Sequence, residues 1–249
     1  MLRIILNGCC GKMGRVISSI VKERKDCEIV CGVDKAVADC SYPVFTDFNQ
    51  VNIKGDVIID FSHPSALRGV LDYAKRTKTP AVLATTGLSD EQLNEIKEAS
   101  KEVALFFTFN MSLGINLLVE LTKKAAAVLN GFDIEIIEKH HNQKIDAPSG
   151  TAIMLASAIN ETLDNSMIYE YDRHSKRKKR TDKEIGIHAV RGGTIVGEHD
   201  VMFCGRDEII TLSHSARSKD IFATGAVNAA LFIADKPQGL YAMKDLINN

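Results

Sequence analysis

LRIILNGCCGKMG, residues 2–14, is the stretch whose reading decides the fold. Leu2–Leu6 is a continuous apolar run of the kind buried on both faces of a parallel sheet, and it passes straight into a glycine-rich turn. Met13, Val16, Ile17, Ile20 and Val21 then fall on one stripe at helical spacing, a second strand is expected over Glu28–Val33, and Asp34 follows 20 residues after Gly14. Strand, glycine turn, helix, strand and acid, in that order, make up a dinucleotide-binding half. The glycines are spaced G-x-x-G-x-x-G, with Cys9 standing where G-x-G-x-x-G would place its first glycine. Gly11 and Gly14 would let backbone and helix approach a pyrophosphate seated on the helix N-terminus. Asp34 would accept hydrogen bonds from ribose hydroxyls, and Lys35 beside it could pair with a 2′-phosphate, so the expected cofactor is NADH or NADPH. Cys9 and Cys10 sit inside this turn, where a helix N-terminus can lower a thiol pKa and raise its reactivity; two small residues tolerated in a turn is the plainer reading.

Working outward, strands are expected over Asp56–Phe61, Ala81–Thr85 and Val103–Phe109, alternating with helices over Pro64–Thr77 and from Ser89 through Lys101. Pro64 suits a first helical turn, and Ser89-x-x-Gln92 is a capping box. Such repeated units predict a Rossmann-type, doubly wound parallel sheet. Ligands bind at the carboxyl ends of its strands, here Phe61-Ser62, Ala84-Thr85-Thr86-Gly87 and Thr108-Phe109-Asn110-Met111. A helix capped by Ser112 and running through Leu129 would lead into a second, strand-rich α+β domain. Its strands are expected over Ile134–Lys139, Ile185–Arg191, Thr194–Phe203 and Glu208–His214, with Gly192-Gly193 as a tight hairpin turn. They predict a mixed or antiparallel open sheet packed on a helix over Thr151–Leu163, with a helix over Ile221–Ala234 returning to the first domain. The expected division is 1–111 with 221–249 for the dinucleotide and 112–220 for substrate binding and oligomerisation.

The second domain carries DIEIIEKHHNQKIDAPSGTA, residues 133–152. It begins as a strand, with Ile134 and Ile136 alternating against Glu135, and then places His140, His141, Lys144 and Asp146 within seven positions. Two histidines and a lysine offer proton donors near neutral pH. Adjacent residues of a strand point to opposite faces, so His140 and His141 could share a site only if the strand bends or ends there. Ser149 is a candidate N-cap, and Gly150 and Thr151 would bring backbone N–H groups to a positive helix end suited to a carboxylate. Acid–base groups running into an anion cradle point to a small carboxylated substrate.

Residues 135–152, together with Gly8-x-x-Gly11-x-Met13-Gly14 and the stretch IGIHAVRGG at 185–193, strongly resemble the 4-hydroxy-tetrahydrodipicolinate (dihydrodipicolinate) reductase family of the diaminopimelate–lysine pathway. The resemblance covers nearly the whole chain. It implies an NAD(P)H-dependent reductase of a cyclic dicarboxylate, with His140 as main proton donor/acceptor and Lys144 as a second donor. It also implies that His141, Ser149, Gly150 and Thr151 hold the substrate carboxylates, and that His188 and Arg191 face the site. On the cofactor side it implies Gly8, Cys9, Cys10, Gly11, Lys12, Met13, Asp34, Lys35, Ala84, Thr85, Thr86, Thr108, Phe109, Asn110 and Met111, the last standing where relatives often carry an aromatic. A homotetramer is expected, both from the family and because one face of an open sheet must be covered. The rival readings are another two-domain nicotinamide dehydrogenase acting on an amino or hydroxy acid, and an NAD(P)-sensing module without turnover.

Composition narrows the partners. With 249 residues, 45% hydrophobic and 25% charged, and a net charge of -1, the chain has ample core and no general pull toward nucleic acid or acidic membranes. It has no apolar run near the ~20 residues of a membrane helix, and Met1-Leu2-Arg3 leads into a strand, so a cytoplasmic location is expected. The six cysteines show no zinc spacing and are expected as free thiols. No metal is expected at the His-His-Lys grouping, because a protonated lysine repels a cation. The basic run Lys176–Arg180 is read as a solvated loop over the site that helps attract an anionic substrate.

Overall fold

Apolar runs become strands and amphipathic stretches become helices against them, each from the periodicity of its own side chains. The computed structural model describes residues 1–36 and 40–248. The chain forms β1 (Leu2–Asn7), α1 (Lys12–Lys22), β2 (Cys27–Val33), β3 (Val44–Phe45), β4 (Val57–Asp60), α2 (Leu67–Thr77), β5 (Ala81–Leu83), α3 (Asp90–Ala99) and β6 (Ala104–Phe107). It continues through α4 (Leu113–Val128), β7 (Asp133–His140), α5 (Gly150–Thr162), β8 (Ile168–Glu170), β9 (Glu184–Arg191), β10 (Gly197–Cys204) and β11 (Ile209–Ala216). The last elements are α6 (Asp220–Ile233), β12 (Gly239–Tyr241) and α7 (Met243–Ile247). Two compact units result, Met1–Leu113 with Asp220–Asn249, and Gly114–Lys219.

In the first unit seven parallel strands run in the order β12-β6-β5-β4-β1-β2-β3. The order reverses between β1 and β4, the switch point beside which such sheets bind ligands. Strand alternation splits the side chains between two cores. Ile4, Leu6, Val57, Ile59 and Phe106 pack with Ile17, Val21, Ala226 and Val227 on one face. Ile5, Ile58, Leu83 and Leu105 pack with Leu67, Val70 and Ile96 on the other. Both faces are buried, so these strands read as unbroken apolar runs. The capping box is present: Ser89 Oγ accepts from Gln92 N–H, and Gln92 Oε1 accepts from Ser89 N–H. The helix expected from Pro64 is divided, with a 3-10 turn over Pro64–Ala66 before α2.

In the second unit the order is β11-β10-β7-β9-β8, a mixed sheet. One face packs Ile134, Ile136, Ile185, Ile187, Val201 and Phe203 against Leu118 and Ala126 of α4 and Ala152, Leu155, Ala156 and Ile159 of α5. The Gly192-Gly193 hairpin is not found. β9 runs parallel to β7, while β10 pairs antiparallel with the other edge of β7, so β7 lies between the two strands expected to be neighbours. The glycine turn instead crosses the end of β7, where Gly192 N–H donates to His140 O at 2.9 Å and Asn142 N–H to Gly193 O at 3.2 Å. A central strand needs partners on both edges, and this turn supplies one from each side. The true hairpin joins β10 to β11.

The approach of α1 to the β1 turn depends on Gly14, where any Cβ would stand 2.2 Å from the Gly8 carbonyl oxygen and 2.6 Å from the Cys9 backbone, well inside van der Waals contact. Gly14→Ala is therefore expected to destabilise the fold by about 3 kcal/mol, the upper range for overpacking, read as a fall in the midpoint of thermal unfolding. An unchanged midpoint would show that the helix can move away freely.

Candidate active site

The glycine turn after β1 is built to leave a helix end open. Gly8 takes φ +79°, and Gly11 is the N-cap of α1 without any side-chain cap. The N–H groups of that first turn are thus left to a ligand, the anion-binding arrangement of a helix N-terminus. Asp34 follows β2 and accepts from Cys10 N–H at 2.9 Å and Ala36 N–H at 3.0 Å, which ties the acid to the turn. Gly8, Gly11, Asp34 and Lys35 line one cleft of about 730 Å³ together with Phe61, Ser62 and Arg76. An uncapped helix end, an acid and a neighbouring lysine on one cleft fit a dinucleotide with or without a 2′-phosphate.

The strand ends beside this cleft are held by a group that sequence reading missed. Asp60, at the end of β4, is fully buried. Its Oδ1 accepts from Asn7 Nδ2 at 2.7 Å and Ser62 Oγ at 2.6 Å, and its Oδ2 from Thr85 Oγ1 at 2.8 Å. Burial pushes its pKa up, and the hydrogen bonds from Ser62, Thr85 and Asn7 offset only part of that. Thr85, buried beside Ala84, therefore serves Asp60, while Thr86 is exposed. Thr108 Oγ1 accepts from Asn110 N–H at 3.3 Å, and Phe109 is 73% exposed against the edge of Phe107. Met111, which stands where relatives often carry an aromatic, has its side chain buried in the core. Lys12 opens α1 exposed, with Met13 half-buried beside it. Burial pushes the Cys9 thiol well above the usual range, with Cys10 adding to it, in line with the plainer reading of Cys9 as a small residue tolerated in the turn.

In the second unit the site forms where the apolar face of the sheet ends. Along β7 that face reads Ile134, Ile136, Glu138, His140, and along β10 it reads Phe203, Val201, His199. Glu138 is the hub and is completely buried. Its Oε1 accepts from Arg191 Nη2 at 2.7 Å and from the N–H of Ser149 at 2.9 Å. Its Oε2 accepts from Arg191 Nη1 at 2.8 Å and pairs with His140 Nδ1 at 2.6 Å. Desolvation pushes the Glu138 pKa up, but hydrogen bonds from Arg191, His140 and Ser149 outweigh it, and the carboxyl lies below its ordinary value. An unfolded glutamate protonates at higher pH than this one. The cluster's stabilisation is thus complete above the usual carboxylate range and is lost as the pH falls through the folded value.

Ser149 caps α5: its Oγ accepts from Ala152 N–H at 3.2 Å and shares a 3.1 Å hydrogen bond with His199 Nε2. Gly150 and Thr151 are the first two residues of that helix. β7 ends at His140, and His141 lies in the turn beyond, which frees the pair from strict alternation. Lys144 Nζ donates to Asp146 Oδ1 at 2.7 Å, and that contact lowers the Asp146 pKa. Arg191 Nη2 also donates to Asp146 O at 2.7 Å, so the guanidinium closes the whole loop from His141 to Ser149.

Two expectations are corrected. His188 lies three residues from Arg191 and so on the opposite face, where its Nε2 pairs with Glu135 Oε2 at 2.7 Å. The basic run does not lie over the site. Arg173 and Arg180 bind Glu135, Glu184 and Asp133, and Lys176 and Lys178 bind Glu170 and Glu184, at the opposite end of β7 from His140. Asp133 and His140 are seven strand positions apart, about 23 Å. Glu138 and His199 could have been found from the alternation alone, since each places a polar side chain in register with core residues of its own strand.

Both halves of the chain match known proteins. Residues 2–111 match the family model described as dihydrodipicolinate reductase, N-terminus, and residues 114–247 match dihydrodipicolinate reductase, C-terminus. The chain is 53% identical over 247 residues to a 4-hydroxy-tetrahydrodipicolinate reductase of Caldanaerobacter subterraneus subsp. tengcongensis, covering 99% of this chain and 98% of that protein. It is 49% identical to the protein of that name from Clostridium botulinum, covering 99% and 98%. The solved structure of a dipicolinate-bound dihydrodipicolinate reductase from Paenisporosarcina sp. TG-14 superposes with a TM-score of 0.82 at 28% identity, covering 97% of each chain. With both halves matched and the likeness running the length of the chain, it belongs to the dihydrodipicolinate reductase family.

Proposed function

We propose that the chain reduces 4-hydroxy-tetrahydrodipicolinate to tetrahydrodipicolinate and water, in diaminopimelate and lysine biosynthesis in the cytoplasm, with NADH or NADPH. The observation that carries the residue-level reading is the Glu138 hub, which holds His140 beside the N-terminus of α5. The first unit holds the dinucleotide: the turn Gly8–Met13 and the uncapped end of α1 receive the pyrophosphate, and Asp34 receives the ribose hydroxyls. Lys35 lines the same cleft and would meet a 2′-phosphate. Ala84, Thr85, Thr86 and the 108–111 segment border the nicotinamide. When bound, the dinucleotide supplies the hydride.

The second unit binds the dicarboxylate and delivers the proton. His141, Ser149, Gly150 and Thr151 hold the carboxylates, with backbone N–H groups at the positive end of α5. The hydride leaves negative charge on the conjugated ring, and His140 donates to it from Nε2, because Nδ1 faces Glu138. The Glu138 carboxylate fixes the ring's orientation through its contact with Nδ1. Lys144 is the second donor, with Asp146 taking one of its three N–H bonds. Arg191 is a positioning residue: its two terminal nitrogens are taken up by Glu138, Val190 O and Asp146 O.

The face of the mixed sheet opposite α5 includes Ile137 and Met202, with Val190 44% and Ile209 60% exposed. Such a face is covered when copies of the chain pack together, and the assembly proposed is a homotetramer. Light scattering should give four times the 27.3 kDa chain mass, and a monomeric mass would rule it out.

Freshly generated substrate should cause steady oxidation of NADH and of NADPH, and Lys35→Ala should lower kcat/KM for NADPH while sparing NADH. Absence of oxidation with either nucleotide would defeat the functional reading, and unchanged NADPH use would remove Lys35 from it. His140→Gln and Lys144→Ala should each lower kcat by roughly 10²- to 10⁴-fold with the fold intact. Glu138→Gln should lower kcat and shift its pH profile, whereas a merely structural Glu138 would move the melting temperature alone. Near-normal turnover in any of these variants would take that residue out of the mechanism.

A further inference from the structure

Three thiols converge beside the nucleotide turn. Cys9 and Cys10 lie on the turn itself, and Cys40 comes from the segment between β2 and β3. Their Sγ atoms all lie within 4.8 Å of one another, with Cys9 and Cys10 3.8 Å apart. No sequence spacing announces the group, because Cys40 is distant in the chain from the vicinal pair. The three are free thiols, and a disulfide would need sulfurs about 2.05 Å apart. A tetrahedral cation with metal–sulfur bonds of about 2.3 Å instead holds its sulfurs about 3.8 Å apart, the separation Cys9 and Cys10 already have.

The surroundings are shaped around this group. Cys9 is buried against Gly32, where a Cβ would stand 2.5 Å from its sulfur and 3.0 Å from the Tyr42 ring. Cys10 and Cys40 are half-exposed, which gives an ion a path from solvent. Thiolates select thiophilic cations over magnesium or calcium, which take oxygen ligands. No other group of three or more His, Cys, Asp or Glu ligands of this kind occurs among the described residues.

We propose that Cys9, Cys10 and Cys40 bind one thiophilic divalent cation, of the zinc and cadmium class, with water in the fourth position. On binding, three S–H bonds break, three protons leave to solvent and three metal–sulfur bonds form, with no change of oxidation state. Three neutral thiols and a dication thereby become a group of net charge minus one. That charge sits on the turn offered to the pyrophosphate, so loading the site weakens NADH binding by roughly tenfold through like-charge repulsion. The coupling rests on the nucleotide site proposed above; the metal site itself does not.

The test titrates the fully reduced, full-length protein with cadmium. A sulfur-to-cadmium charge-transfer band should saturate at one equivalent, be displaced by zinc, and give a cadmium NMR shift typical of three thiolates. Cys40→Ser should keep metal-free turnover and raise the cadmium Kd by at least about 100-fold. No band at one equivalent, a shift of fewer than three sulfurs, or unchanged affinity in Cys40→Ser would overturn the site. NADH Kd, followed by fluorescence, should rise on loading the wild type, return with chelator, and stay constant in Cys40→Ser. A loaded site that leaves NADH Kd unchanged would overturn the coupling, and absence of NADH binding to the metal-free protein would instead defeat the nucleotide reading.

Discussion

An ionised carboxylate with no exposure to water is the constraint on which the second unit depends. Taking the Glu138 charge out of solvent costs several kcal/mol, and only full pairing with hydrogen bonds on both oxygens offsets that. Arg191 supplies the bidentate partner, and the Ser149 N–H and the His140 ring complete the set. Each donor comes from a different piece of chain: the end of β9, the cap of α5 and β7 itself. Satisfying one charge therefore fixes the relative placement of three elements and of the loop between them. Local geometry at the site follows from electrostatics in the interior more than from packing.

The first unit solves the parallel problem with neutral donors. Asp60 has no cationic partner among its hydrogen bonds; Asn7, Ser62 and Thr85 surround it, and burial raises its pKa. The side chains come from the ends of β1, β4 and β5, so the network ties together the strand ends flanking the switch point. The same physical requirement, that a buried polar group be fully satisfied, thus organises the ligand-facing edge of each sheet. A charge paired with arginine lies where proton transfer is proposed, and a carboxyl among neutral donors lies beside the turn proposed to meet a dinucleotide.

Much of this was legible because side-chain periodicity is local. The turn from Gly8 to Gly14, the acid at Asp34 and the capping box at Ser89 could be read from adjacent residues, and so could Ser149 as a cap. Pairing order in the second sheet could not. Gly192-Gly193 has the composition of a hairpin, yet β7 lies between the flanking strands, and strand neighbours are set by which edge remains free rather than by the turn. The basic run was misplaced for a similar reason: its partners, Glu135, Glu170 and Glu184, lie on three different strands whose positions only the sheet defines. Glu138 and His199 were legible in principle. On a strand whose alternate residues are Ile134 and Ile136, a glutamate in phase with them is a buried charge in need of a partner.

Two imidazoles meet at this site, and burial assigns them different work. The rings of His140 and His199 lie 5.3 Å apart, edge to face. Were both to take a proton near neutral pH, each would oppose the other. Desolvation, and then the proximity of His140, push His199 down to about 4, so it stays neutral and serves Ser149 through its Nε2. His140, one strand over, instead pairs through Nδ1 with the Glu138 carboxylate. The fold buries one ring and gives the other the acid, which orients the His140 ring and leaves Nε2 as the nitrogen for the proposed proton transfer.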